Sequence, residues 1–176
     1  SMAKQRTICF NAMPLTTKLA GIGRYTYEIL ARLDELCHTM GIASEVIYSD
    51  GVKPNLPAFK YTKRVAINKP ARSLSFYNSC QQYIRRKNAL YVNLSNGLPI
   101  GGGVVCIHDI RPLHHEYGDH IKEYWRLKLV TKTCKQFSRQ IVTVSEFSRK
   151  EIINYTGISS DRIAVIGCGW EHMERI

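Results

Sequence analysis

Short apolar runs alternate along this chain with longer stretches in which apolar residues recur every three or four positions. The runs are Arg6–Met13 (RTICFNAM), Glu45–Tyr48 (EVIY), Val65–Ile67, Ala89–Leu94 (ALYVNL), Val104–Ile107 (VVCI), Ile141–Val144 (IVTV) and the IAVI within Asp161–Ile166. Rich in β-branched and aromatic residues, they predict strands. Between them, Ile22, Tyr25, Ile29, Leu33, Leu36 and Met40 predict an amphipathic helix ended by Gly41. Leu74–Lys87 and Glu123–Arg139 predict two more. A fourth ends at Gly157 and is capped by Ser145 or Ser148, the latter fitting a capping box with Glu151. Residues 51–64, 96–103 and 111–122 hold the prolines and glycines of connections.

Strands that are apolar throughout need cover on both faces, and strands separated by helices run parallel. The pattern therefore predicts an α/β fold: a Rossmann-like layered domain, 1–176, with a mostly parallel sheet and helices on both faces. A length of 176 residues, 44% hydrophobic and 22% charged, suits one such domain and excludes a disordered or fibrous chain. No apolar run approaches the roughly 20 residues that span a bilayer.

Six cysteines (Cys9, Cys37, Cys80, Cys106, Cys134 and Cys168) stand alone at wide spacings. They predict buried thiols in a reducing, cytoplasmic setting rather than a disulfide framework or a zinc site. A formal charge of +11 points to anionic partners without choosing among them.

Parallel sheets bind ligands at the carboxyl ends of their strands. Three segments fall there and are expected to converge: Gly21-Ile22-Gly23, His108-Asp109 and Ser145-Glu146. The glycines open a helix whose backbone N–H groups can cradle a phosphate. The third glycine of a dinucleotide fingerprint is Thr26 here, while Asp50 stands where such proteins grip a ribose, so an NAD-binding oxidoreductase domain stays open as an alternative. His108 can donate to a sugar hydroxyl, with Asp109 orienting its loop. His114, His115 and His120 share no standard metal spacing with His108, and no metal is expected. On the third helix Leu127, Val130, Cys134 and Phe137 form an apolar stripe, and Lys128, Lys132, Lys135 and Arg139 line the opposite side beside Tyr124 and Trp125. That single-sign face suits an anionic membrane surface and defines a third reading, a non-catalytic basic module. No nucleic-acid motif accompanies the charge, and nucleic acid is not expected as a partner.

Four blocks in order (GIGRYTYEIL, VVCIHDIRPLHHEY, IVTVSEFSRKEII and TGISSDRIAVIGCGW) resemble the N-terminal domain of GT-B glycosyltransferases of family 4, a retaining, nucleotide-sugar-dependent group. The resemblance implies two Rossmann-like domains facing across a cleft, the N-terminal one chiefly for the acceptor. It implies catalytic roles for His108 and Asp109, donor-phosphate proximity for Gly21, Gly23, Ser145 and Glu146, and acceptor contacts for Arg24, Tyr25 and Arg111. It implies a nucleoside-diphosphate sugar as donor, no intrinsic cofactor or metal, and a glycan or lipid-linked acceptor in polysaccharide or glycoconjugate assembly. The family's donor-holding basic pair and E-x7-E motif are not found before Ile176. The expectation is an acceptor-side half whose cis partner is the missing C-terminal domain, inactive alone, and peripheral on the inner face of the cytoplasmic membrane.

Overall fold

The computed structural model describes residues 6–16, 22–95, 97–108, 110–114 and 121–166. The chain divides into two compact units, Ser1–Ser95 and Asn96–Ile176.

The first unit contains β1 (Ile8–Asn11), α1 (Ile22–Thr39), β2 (Ser44–Ser49), β3 (Lys63–Ile67), α2 (Leu74–Lys87) and β4 (Leu90–Asn93). Its strands lie in the order β3-β2-β1-β4, every pair parallel, with Phe10 in register with Val46 on one side and Val92 on the other. Sequential growth of the sheet thus reverses between β1 and β4, the topological arrangement that opens a crevice at the strands' carboxyl ends. Cys9, Phe10, Val46, Ile47 and Tyr91 are buried. Desolvation, reinforced for Cys9 by the Glu45 charge, pushes the thiols of Cys9 and Cys80 up to about 12.

The buried line of α1 is Gly23, Thr26, Leu30, Asp34 and Cys37, whereas Leu36 and Met40 are more than half exposed. The helix is therefore turned from the stripe that apolar spacing predicts. The cause is non-local. The Asp34 carboxylate accepts from the backbone N–H groups of Lys60, Tyr61 and Thr62 at 2.7, 3.1 and 2.7 Å, and from the Thr62 hydroxyl at 2.6 Å. It satisfies a packed loop that would otherwise leave donors unpaired. Burial alone would raise the Asp34 pKa, but these hydrogen bonds outweigh it and hold the carboxyl below its ordinary value.

The second unit contains β5 (Val104–Cys106), α3 (Ile121–Phe137), β6 (Gln140–Thr143), α4 (Glu146–Thr156) and β7 (Ile163–Val165). The strands are parallel in the order β5-β6-β7, with Val105 opposite Ile141 and Ile141 opposite Ile163. Leu127, Val130 and Cys134 of α3 and Ile152 of α4 pack on them. Phe137 departs from the predicted stripe and is 59% exposed, because α3 ends there and the chain leaves the packed layer. Arg162 closes that end by donating to the carbonyls of Cys134, Lys135 and Ser138 at 2.9, 2.5 and 2.7 Å, meeting acceptors that a helix terminus leaves free. Both units are Rossmann-like α/β layers.

Candidate functional site

A concavity lies in the second unit, beyond the carboxyl ends of β5 and β6. Its position starts from the strand ladder. Ile107 N–H donates to the Val142 carbonyl at 2.9 Å, and the Ile107 carbonyl accepts from the Thr143 hydroxyl at 2.8 Å. Held on both sides, the backbone turns at a fixed place, and His108 follows half-buried. A 3-10 turn, Arg111–Leu113, comes next, anchored by buried Ile110 and Leu113.

From the other side comes α4. Ser145 is its N-cap: its hydroxyl oxygen accepts from Ser148 N–H at 3.0 Å, resolving the choice between the two serines. The first turns of α4 then present Phe147, Ser148, Glu151 and Ile152. The i, i+4 spacing puts Phe147 beside Glu151 and Ser148 beside Ile152 on neighbouring rows of the helix. Together with His108, Ile110 and Arg111 they line a pocket of about 290 Å³.

Its chemistry is mixed in a specific way. The floor is apolar, from Ile110 and Ile152. The walls carry an imidazole, a guanidinium, a hydroxyl and a carboxylate, and Phe147, 74% exposed, stands at the rim. Few convergent polar groups on an apolar floor are the mark of a small-molecule site. This set fits a ligand with hydroxyls on its edge and C–H groups on its face. The positive end of α4 and Arg111 also favour negative charge on that ligand.

A supporting layer sits behind. His114 Nε2 is buried and lies 2.8 Å from Glu151 Oε2, a contact with the distance of an ion pair but not the geometry of a directed hydrogen bond. The same imidazole stacks on Tyr155 at 4.3 Å. Arg149 pairs with Glu146 at 2.7 Å and donates to the Ile163 and Ser160 carbonyls at 3.3 Å each, tying α4 to the segment around β7.

The sequence-predicted residues distribute as follows. His108 and Arg111 line the pocket. Ser145 and Glu146 do not line it; the first is committed to the helix cap and the second to Arg149. Phe147, Ser148 and Glu151 occupy the positions instead, and the available signal was helical spacing from the cap onward. Gly21 and Asp109 lie outside the described residues, as do His115 and His120. Gly23, Arg24 and Tyr25 stand in the first turn of α1 in the first unit, the glycine buried and the arginine exposed. Asp50 is exposed in the turn after β2. Among the described residues no three His, Cys, Asp or Glu side chains gather in a metal-binding group. Lys128 and Lys132 are exposed on α3. Lys135 reaches the Thr156 carbonyl at 3.3 Å, and Arg139 lies past the end of the helix.

In the first unit, the carboxyl ends of β1 and β4 are joined by a polar network missed in the sequence. The fully buried Tyr91 hydroxyl accepts from Asn11 Nδ2 at 2.9 Å and Asn93 Nδ2 at 3.2 Å. The Oδ1 atoms of the two asparagines hold the departing loops through Met13 N–H and Ser95 N–H at 2.8 and 2.9 Å. Burial pushes the Tyr91 phenol well above its ordinary pKa.

Parallel Rossmann-like layers with a polar pocket at the strand ends define an α/β architecture of the kind that binds ligands beyond the carboxyl ends of its strands. The Glycosyltransferase Family 4 profile matches residues 19–172, and the chain belongs to that family. No curated protein matches the chain significantly. Among solved structures, a glycosyltransferase from Rickettsia africae ESF-5 superposes with a TM-score of 0.54 at 12% identity, over 94% of this chain and 43% of that one. The chain thus spans less than half the length of that similar protein, and the likeness is one of fold.

Proposed function

We propose that this chain forms the N-terminal, acceptor-side half of a retaining glycosyltransferase. The whole protein would transfer a sugar, hexose-like in size, from a nucleoside-diphosphate donor to a glycan or lipid-linked acceptor in polysaccharide or glycoconjugate assembly. The observation that carries the reading is the pocket of His108, Arg111, Phe147, Ser148 and Glu151 in a family 4 domain. In this reading His108 donates to a sugar hydroxyl from a backbone pinned by Thr143. Glu151 and Ser148 accept and donate at further hydroxyls, and Phe147 stacks on the C–H face of a ring. Arg111 meets developing negative charge, while cationic side chains and helix ends rather than a metal ion offset the leaving diphosphate. A second domain supplies the donor-binding face, so the chain alone is expected to be inactive. Its span of 43% of the Rickettsia protein supports that expectation.

The test is the full-length gene product, assayed with a panel of nucleoside-diphosphate sugars and with the product's anomeric configuration read by NMR. Transfer with retention supports the proposal, and a protein that binds no nucleotide sugar overturns it. His108→Ala should lower kcat/KM about 100-fold, the scale of losing one aligned donor in a dry site. An active enzyme indifferent to that change removes His108 from the mechanism.

A further inference from the structure

The solvent-facing side of α3 carries an apolar row that core packing does not use. Ile121, Trp125 and Leu129 are 66%, 60% and 59% exposed, at intervals of four residues. This spacing puts them one above another along the helix. Lys122 flanks the row on one side and Lys128 and Lys132 on the other, all three exposed. Across its length α3 bears five cations, Lys122, Arg126, Lys128, Lys132 and Lys135, against one carboxylate. That carboxylate, Glu123, is paired with Arg126 at 3.3 Å.

We propose that this face docks on an anionic lipid bilayer, with Trp125 and its neighbours seated among the headgroups and the lysines against lipid phosphate. The inference rests on α3 and on the chain's charge, and does not depend on the sugar-transfer reading. Three features favour lipid over a protein partner. The apolar row is one residue wide and bordered by lysine, whereas protein interfaces are depleted of lysine at their cores. An interfacial helix pairs such an apolar row with lysine flanks. Trp125 meets Tyr124 edge-on at 5.2 Å, and Lys128 Nζ lies 5.5 Å from the indole and 5.4 Å from the phenol ring. Amphipathic rings with a cation alongside are the groups that settle at headgroup depth. Finally, the chain's formal charge of +11 complements a negative surface.

The chain, carrying Trp170→Phe so that Trp125 is the remaining indole, is mixed with vesicles of phosphatidylglycerol or of phosphatidylcholine. Expected are co-sedimentation with the anionic vesicles only, a blue shift of Trp125 emission, and shielding from iodide. Substituting Lys122, Lys128 and Lys132 by Ser should weaken partitioning about fivefold for each lysine removed. Trp125→Ser with Leu129→Ser should weaken it about tenfold or more, with circular dichroism unchanged because both side chains are exposed. Absence of binding to anionic vesicles overturns the proposal, and so does binding that the two apolar substitutions leave intact. Light scattering that shows the unsubstituted chain to be a dimer, and those substitutions to make it a monomer, assigns the face to a second copy and equally overturns it. None of these readouts involves His108 or a nucleotide sugar, so this inference and the sugar-transfer reading fail separately.

Discussion

His114 and Glu151 meet behind the pocket wall, Nε2 to carboxylate oxygen at 2.8 Å, joining the 3-10 turn after His108 to the middle of α4. Each is three-quarters or more shielded, so neither partner is replaced by water without cost. Glu151 faces the pocket and is steadied from behind by an imidazole that is itself stacked on Tyr155.

His114→Ala should therefore lower stability by about 1–2 kcal/mol, combining the lost polar contact with the lost ring stacking. Urea unfolding followed by circular dichroism measures it. Glu151→Gln, which keeps an oxygen facing the imidazole, should cost less than His114→Ala. Equal midpoints for wild type and His114→Ala would show that the pair does not anchor the turn.

Asp34→Ala should be the more damaging change in the first unit, by about 2–4 kcal/mol, because it strands three backbone donors and a hydroxyl that now share one carboxylate. The associated pH dependence has a definite sign. The folded pKa lies below the ordinary carboxylate value, so Asp34 contributes stability at neutral pH. That contribution is lost as pH falls from the ordinary carboxylate range, near 4, through the lower folded value. Urea midpoints between pH 7 and pH 2 should fall less steeply in Asp34→Asn than in wild type.

Glu45, buried on β2, is met by the Lys87 ammonium and by the Tyr83 hydroxyl at 2.5 Å. The Lys87 pKa is raised, chiefly by its hydrogen bond to Glu45. Its stabilising contribution is therefore complete below the ordinary lysine pKa and disappears as pH rises through the folded value, on the alkaline side of about 10.4. Lys87→Met should cost about 1–2 kcal/mol at pH 7, a figure held down because the ammonium is one-third exposed. It should also flatten the alkaline limb of a stability profile from pH 8 to 11. An unchanged alkaline limb would count against the pairing.

The five described thiols are buried and take part in no disulfide, and burial raises Cys9, Cys80 and Cys134 to about 12. Thiolate is the reacting form, so iodoacetamide at pH 8 should leave these three unmodified in the folded chain and label them once urea unfolds it. Peptide mass spectrometry reads each site separately. Rapid labelling of Cys134 under native conditions would mean that α3 opens from β6 more readily than its packing indicates.

Most of the elements were legible because their signals are local. All seven described strands are runs of β-formers, and Leu74–Lys87 is helical over the very span its sequence predicts, since Ser73 accepts from Phe76 N–H to start it and Asn88 at φ 51 stops it. The faces of helices were less legible. Apolar spacing placed Leu36, Met40 and Phe137 inward, and all three are exposed. On α1 a polar residue, Asp34, took the inward position because its partners arrive from residues 60–62, a contact that periodicity cannot express.

The site divides along the same line. That a histidine follows β5, and that a helix begins just after β6, was written in the order of residues, because strand ends and caps depend on near neighbours. Which side chains of α4 face His108 was settled only by packing. The local Ser145 cap sets the phase of the helix, and contacts to Ile110, His114 and β7 decide which rows turn toward the pocket. Glu151 shows the difference most clearly: by spacing it reads as half of a capping box, and in the fold it is the partner of His114. Short-range patterns carry propensity and periodicity. A pocket is built from groups that meet only after the chain has closed on itself, and distance along the sequence carries no record of that meeting.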